Sequence, residues 1–135
     1  MTFKAALSQE HAELDRLAVR LLEILRTESA PPEDFSTVRW RMTHVLTVHL
    51  AKEDKHLYPV LLRSPDIVTR ELATTFSREM GGLAEAYRSH TMRWPLEKVR
   101  ADWAGYQVEA WRIMMTLRQR IRREESQLYV RLRAA

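Results

Sequence analysis

His49-Leu50-Ala51-Lys52-Glu53-Asp54-Lys55-His56-Leu57-Tyr58-Pro59 and Arg120-Ile121-Arg122-Arg123-Glu124-Glu125-Ser126-Gln127-Leu128-Tyr129-Val130 share one skeleton. Each has a His or Arg, a glutamate four residues on, a second acid directly after it, and then Leu-Tyr. Residues four apart lie on one face of a helix, so His49 and Glu53 present two donors to one point. Arg120 and Glu124 present a cation and a carboxylate in the same way. Both motifs stand on amphipathic seams, with apolar residues recurring at three- and four-residue steps. One seam reads Val38, Met42, Val45, His49, Glu53, His56 and Val60. The other reads Val99, Trp103, Tyr106, Ala110, Ile113, Leu117, Arg120, Glu124 and Leu128.

Two further seams complete the chain. Leu7, His11, Leu14, Ala18, Leu21 and Leu25 form the first, which stops before Ser29-Ala30-Pro31-Pro32. Leu72, Thr75, Phe76, Glu79, Leu83, Ala86 and His90 form the third, bounded by Ser64-Pro65-Asp66 and Trp94-Pro95. Proline ends a helix by removing a donor and clashing with the preceding turn, so each of these breaks separates helices. Four long amphipathic segments with short breaks predict an all-α fold, an antiparallel up-down-up-down four-helix bundle, formed by a single domain over 1–135. Gly81-Gly82 interrupts the third segment at about 1 kcal/mol per glycine relative to alanine. The pair marks a kink or a close approach between helices.

Composition narrows the chemistry. With 135 residues, the chain is long enough to bury a core, and three glycines and five prolines are too few for a loop-rich or all-β fold. Cysteine is absent, which excludes disulfides, thiolate metal sites and cysteine nucleophiles. No apolar run approaches the roughly 20 residues of a membrane span. Met1-Thr2-Phe3-Lys4 lacks the apolar stretch of a secretory signal, so a cytoplasmic location is expected. The net charge of +4 is spread among interleaved acids, as on a solvated helical surface, and predicts no nucleic-acid partner.

The residues that break the apolar stripes carry the information: His11, His49, Glu53, Glu79, Arg120 and Glu124. Burying an ionisable group is costly unless it is paired or bound to metal. Folding the chain about its first turn, at about 1.5 Å rise per residue, sets His11 opposite His49. Folding about the second turn sets His49 opposite residue 79 and Glu53 opposite residue 75. Glu124 joins this layer by the matching lengths of the outer helices. The third turn fits poorly, since it sets Glu124 opposite residues near 66 to 70. His90 lies roughly 16 Å beyond Glu79 along its helix and is read as an end-of-bundle residue, not a ligand. His44 is expected at the surface, His56 at the rim, and Met42, Met80, Met114 and Met115 as core fillers. Trp94, Trp103 and Trp111 are core or interface residues on the same reading. Tyr58 and Tyr129 are read first as packing residues, within hydrogen-bonding reach of the site.

These features resemble the hemerythrin or HHE cation-binding family over nearly the whole chain. The resemblance rests on Gln9-Glu10-His11, on His49-x-x-x-Glu53 followed by Leu57-Tyr58-Pro59, and on Glu124-Glu125-x-x-Leu128-Tyr129. It implies a four-helix bundle around a non-haem di-iron centre that binds oxygen or senses oxygen, redox state or iron. Carried over, His11 and His49 are ligands of the first iron, with Glu53 and Glu124 the bridging carboxylates. Arg120 stands where the family has a helix-four histidine, and helix three offers only Thr75 or Glu79 at this level. One ligand set is therefore kept and the other lost. The expectation is a mononuclear site holding iron, with zinc or manganese as further candidates, and Arg120 in place of the second ion. Dioxygen or another small ligand would bind at the metal, and no catalytic residue is identified. The competing expectation is a metal-free regulatory or interaction module in which Arg120 pairs with Glu53, Glu124 and Glu79.

Overall fold

The computed structural model describes residues 2–27 and 31–132. Helix α1 spans Phe3–Ile24, begun by the Thr2 side chain accepting from the Ala5 N–H at 3.0 Å. Helix α2 spans Phe35–Lys52 and passes through a π turn, Glu53–Leu57, into α3, Tyr58–Leu62. Helix α4 spans Ile67–Met80, capped by Asp66, whose carboxylate accepts from the Thr69 N–H. Helices α5 (Leu83–Arg93), α6 (Leu96–Ala101) and α7 (Trp103–Arg123) follow, and α7 runs into a second π turn, Glu124–Leu128. A short 3₁₀ turn, Tyr129–Arg131, ends the described chain. Among the described residues there is no strand. None of the helices among the described residues is long and apolar enough to cross a membrane.

Two expected segments are divided. The third seam is two helices, α4 and α5, because the ladder breaks at Gly81-Gly82. A Cβ on Gly81 would lie 2.4 Å from the Ser77 carbonyl oxygen, so this backbone path requires glycine there. The fourth seam begins late. Val99 belongs to α6, and Asp102 starts α7 afresh by accepting from the Gly105 N–H at 3.0 Å. The third connection is therefore a helix in its own right, which explains why folding the chain there as a tight turn misplaced the third segment. Part of the first expected break, Ser29-Ala30, lies outside the described residues.

Helix α1 packs on α2 and α7, α5 on α7 and α2, and α4 on α3 and the second π turn. The apolar interior falls into two parts. The larger includes Leu14, Leu46, Leu83 and Leu117; the smaller includes Leu7, Leu57, Met80 and Leu128. Between them lies one polar layer. It holds His11 from α1, His49 from α2 and Glu53 from the π turn that follows, and Arg120 from α7 and Glu124 from the second π turn, each buried to 2 % exposure or less. The α4–α5 break at Gly81-Gly82 falls between Met80 and Leu83, at the same boundary between the two cores. His44 and His56 are exposed. Trp94, Trp103, Met42, Met80 and Met114 are buried, Trp111 is half-buried against the larger core, and Met115 is exposed.

Candidate metal centre

The polar layer is built by two copies of one local device. After Lys52 and after Arg123 the helix widens, so that the N–H of Tyr58 bonds the Glu53 carbonyl and the N–H of Tyr129 bonds the Glu124 carbonyl. In an ordinary helix, five residues turn through about 500°, leaving the fifth about 140° off the face of the first. Closing the turn over five residues brings the tyrosine back over its glutamate. The hydroxyls then cross. Tyr58 donates to Glu124 Oε2 at 2.7 Å, and Tyr129 donates to Glu53 Oε2 at 2.6 Å. Both tyrosines are buried, as their packing role requires, but each is also a hydrogen-bond donor to the carboxylate of the other repeat. Period-3.6 reasoning cannot see this, because it assumes an unbroken helix.

The four expected ligands meet. His11, His49, Glu53 and Glu124 each place one ligand atom within 4.8 Å of the others, and all four are buried. Nε2 of His11 lies 3.2 Å from Glu124 Oε1 and 4.0 Å from Glu53 Oε2. Nε2 of His49 lies 3.3 Å from Glu53 Oε1, off the line of a hydrogen bond. The outer ring nitrogens are held by carboxylates beyond the layer. Nδ1 of His11 bonds Glu125 Oε2 at 2.7 Å, and Ser8 Oγ donates to both oxygens of Glu125. Nδ1 of His49 bonds Glu10 Oε1 at 2.8 Å, and Lys52 donates to the other Glu10 oxygen.

This arrangement settles which side of each ring faces the site. A carboxylate at Nδ1 draws a ring proton there, so in the neutral ring it is the Nε2 lone pair that turns inward. His49 Nε2 is the one buried side-chain polar atom among the described residues with no hydrogen-bond partner. A lone pair buried beside two carboxylates is satisfied by a cation, and imidazole with carboxylate is a donor set for divalent first-row ions. The residues fit a bound metal. Glu10 and Glu125 escaped the sequence reading as site residues, although each sits one position from a ligand: Glu10 before His11, Glu125 after Glu124. Such a neighbour cannot face the same ion, but it can reach across to the next helix.

Electrostatics separate the two glutamates. Burial alone raises both carboxyl pKa values, but His49 and Arg120 outweigh it at Glu53, held down to about 2. Glu124 stays above the usual carboxylate range, because burial dominates and the Glu53 charge stands beside it. Burial opposes the charge on His49, yet Glu53 and Glu10 together raise its pKa above the ordinary imidazole value. Arg120 is held more firmly charged by Glu124 and Glu53 despite its burial.

Arg120 occupies the other side of the layer. Its Nε donates to Glu124 Oε2 at 3.1 Å, Nη2 to Glu53 Oε1 at 3.2 Å, and Nη1 to the Met80 carbonyl at 2.8 Å. Its guanidinium also stands over the Tyr58 ring, 5.7 Å from the centroid. Met80 ends α4, and its carbonyl is among those left without an intrahelical partner. The group that the third segment brings to this layer is thus a backbone carbonyl, not the side chain of Thr75 or Glu79. Glu79, the expected partner of Arg120, is exposed and pairs with Arg123 at 2.5 Å. One residue before Met80, it is turned about 100° away from the layer. His90 lies in neither set: it is buried, with Nδ1 bonded to Glu109 at 2.7 Å and its ring stacked on Tyr106. Glu109 is in turn bonded by Arg93 and Trp94, which gives His90 a closed structural pairing.

No curated protein and no solved structure matches the chain. A family model does: that of the Hemerythrin HHE cation binding domain matches residues 2–132, a span that contains every residue of the polar layer. By that match over nearly its whole length, the chain belongs to the hemerythrin HHE cation-binding family.

Proposed function

We propose that this protein is a metal-binding member of its family that holds a single non-haem ion between His11, His49, Glu53 and Glu124. Its role would be sensing or handling oxygen, redox state or the metal itself. The observation that carries this reading is His49 Nε2, buried and without a hydrogen-bond partner, beside Glu53 and near His11 and Glu124. Iron is the ion we assign, and zinc and manganese suit the same donors. The bound ion would supply a Lewis-acidic centre with coordination positions left for a small ligand such as dioxygen. The protein's own residues orient it: Glu10 and Glu125 fix the two rings, and the apolar cores on either side exclude water. We read the helical segments as an up-down-up-down antiparallel bundle, a single domain acting in the cytoplasm, and assign no catalytic residue.

Arg120 limits the site to one ion in this proposal. Its guanidinium already bonds both carboxylates, and a second cation there would meet a fixed positive charge. The same contacts favour a second reading, a metal-free module whose buried network keeps helix register. Metal analysis of the purified chain, after stripping and reloading with iron(II), zinc or manganese, decides between them. One ion per chain is expected, lost on His49→Ala, with an optical spectrum that changes between oxidised and reduced states if the ion is iron. No ion supports the metal-free reading, and two ions contradict the role given to Arg120.

A further inference from the structure

We propose that Tyr129 is a fifth protein donor to the ion, bound through its phenolic oxygen beside His11 and Glu53, while its repeat partner Tyr58 is not a donor. The proposal rests on the single-ion reading above and adds a residue type that the ligand set of two histidines and two glutamates does not contain. The first ground is spacing. Donors about 2.1 Å from one ion and at right angles to each other lie about 3 Å apart. The Tyr129 hydroxyl is 3.2 Å from His11 Nε2 and 2.6 Å from Glu53 Oε2, as neighbouring ligands of one ion would be. The His11–Glu124 and His49–Glu53 pairs, at 3.2 and 3.3 Å, have the same spacing.

The second ground is orientation. The Tyr129 ring is stacked on the His11 ring, with centroids 4.8 Å apart and planes 8° from parallel, so the hydroxyl is fixed alongside Nε2. Tyr129 is 1 % exposed. The third ground is the contrast with Tyr58, which the matching π turn places by the same rule. Its hydroxyl bonds Glu124 Oε2, the oxygen that also accepts from Arg120 Nε, and its ring faces the guanidinium. The repeat therefore delivers one tyrosine to each side of the layer. The one on the arginine side is left with a structural bond. The one on the histidine side stands among the metal donors.

On coordination, the phenolic O–H bond breaks and a metal–oxygen bond forms. The proton now donated to Glu53 leaves to solvent, and no electron is transferred. A phenolate is a hard, anionic donor, so it would favour the oxidised ion and bias the site toward iron(III).

The test uses the full chain loaded with one equivalent of iron(III), a probe of the donor set whichever ion the site prefers. Iron per chain and the visible spectrum are measured together, with resonance Raman excitation in the band. The wild type and Tyr58→Phe are expected to hold one iron and show a phenolate-to-iron charge-transfer band with enhanced tyrosine-ring vibrations. Tyr129→Phe keeps the ring against His11 but loses the band, and binds iron about tenfold or more weakly. Complete loss of iron from Tyr129→Phe that retains its helical circular dichroism, with Tyr58→Phe still loaded, supports the same assignment. A wild-type chain with one iron and no such band overturns the assignment of Tyr129 and leaves the single-ion reading standing. A band that survives in Tyr129→Phe also overturns it. A wild-type chain that takes up no iron and no other ion overturns both.

Discussion

The two repeats around the polar layer begin alike and end with opposite tasks. Each sets a glutamate at a π turn and a tyrosine five residues on. In the first, position one is His49, whose inward nitrogen is without a hydrogen bond. In the second it is Arg120, with bonds to two carboxylates and a carbonyl. The histidine half is thus short of a cation, and the arginine half carries its own. The residue at this one position separates a half that can take up a cation from one that already holds a positive charge. The surroundings have followed: α4 breaks where its last carbonyl can meet the guanidinium, and Glu10 holds the imidazole from outside.

The comparison breaks most severely on removing the fixed cation. Arg120→Ala leaves Glu53, Glu124 and the Met80 carbonyl buried without their shared donor. Loss of one member of a buried ionic network costs roughly 3–5 kcal/mol, because the charges left behind are uncompensated. Denaturant unfolding of the metal-free variant should show this loss. A second ion entering the space would restore part of it, since a ligand that binds only the folded state stabilises that state. Unchanged stability in metal-free Arg120→Ala would mean that the guanidinium is not what holds the two carboxylates together.

Which parts were legible from sequence follows from the same contrast. His11, His49, Glu53 and Glu124 could be placed together because side-chain donors interrupt an apolar stripe, and a polar residue on such a stripe is conspicuous. The common level of His11 and His49 followed from the short first turn, and that of Glu124 from the matching lengths of the outer helices. The third segment was only half legible: the second turn set residue 79 at this level, next to Met80, but the third turn disagreed. Its connection contains α6, so counting back from a tight turn misplaced it, and its contribution is the Met80 carbonyl, a group every residue type carries. Glu79 looked right by type and register and faces Arg123 instead. The tyrosine crossing was hidden because a π turn shifts every residue beyond it off the helical period. The matched Leu-Tyr endings were visible, but the geometry that gives them meaning was not.

The arginine half also depends on a broken helix, and the two glycines at the break test that separately. A Cβ on Gly81 meets the Ser77 carbonyl oxygen at 2.4 Å, whereas one on Gly82 meets nothing within 4 Å. Gly81→Ala must push α4 backbone aside, at a cost of about 1–3 kcal/mol typical of forced overpacking. Gly82→Ala should be neutral or stabilising by about 0.4–1 kcal/mol, because it restricts the unfolded chain without a clash. Thermal unfolding of the pair would show opposite signs. Equal effects would remove the close approach at Gly81 as the reason for the break.

The position after each glutamate gives the finest test, because there the repeats differ in what the acid holds. Glu125 bonds His11 Nδ1 at 2.7 Å, and Asp54 only approaches Arg120, at 3.7 Å, from an exposed position. Removing the carboxylate that orients a metal-binding imidazole usually weakens metal binding about 10–100-fold. Glu125→Ala should therefore bind its ion weakly by competition titration, with its helical content kept. Asp54→Ala touches no ligand, and its effect on stability should stay within about 0.5 kcal/mol, with metal affinity unchanged. Equal loss of affinity in both would show that net negative charge near the layer, and not the fixed orientation of the His11 ring, governs binding. The arginine needs no such support. A guanidinium has five donors and one protonation state, so three partners suffice to fix it, whereas an imidazole must be told which nitrogen to turn inward.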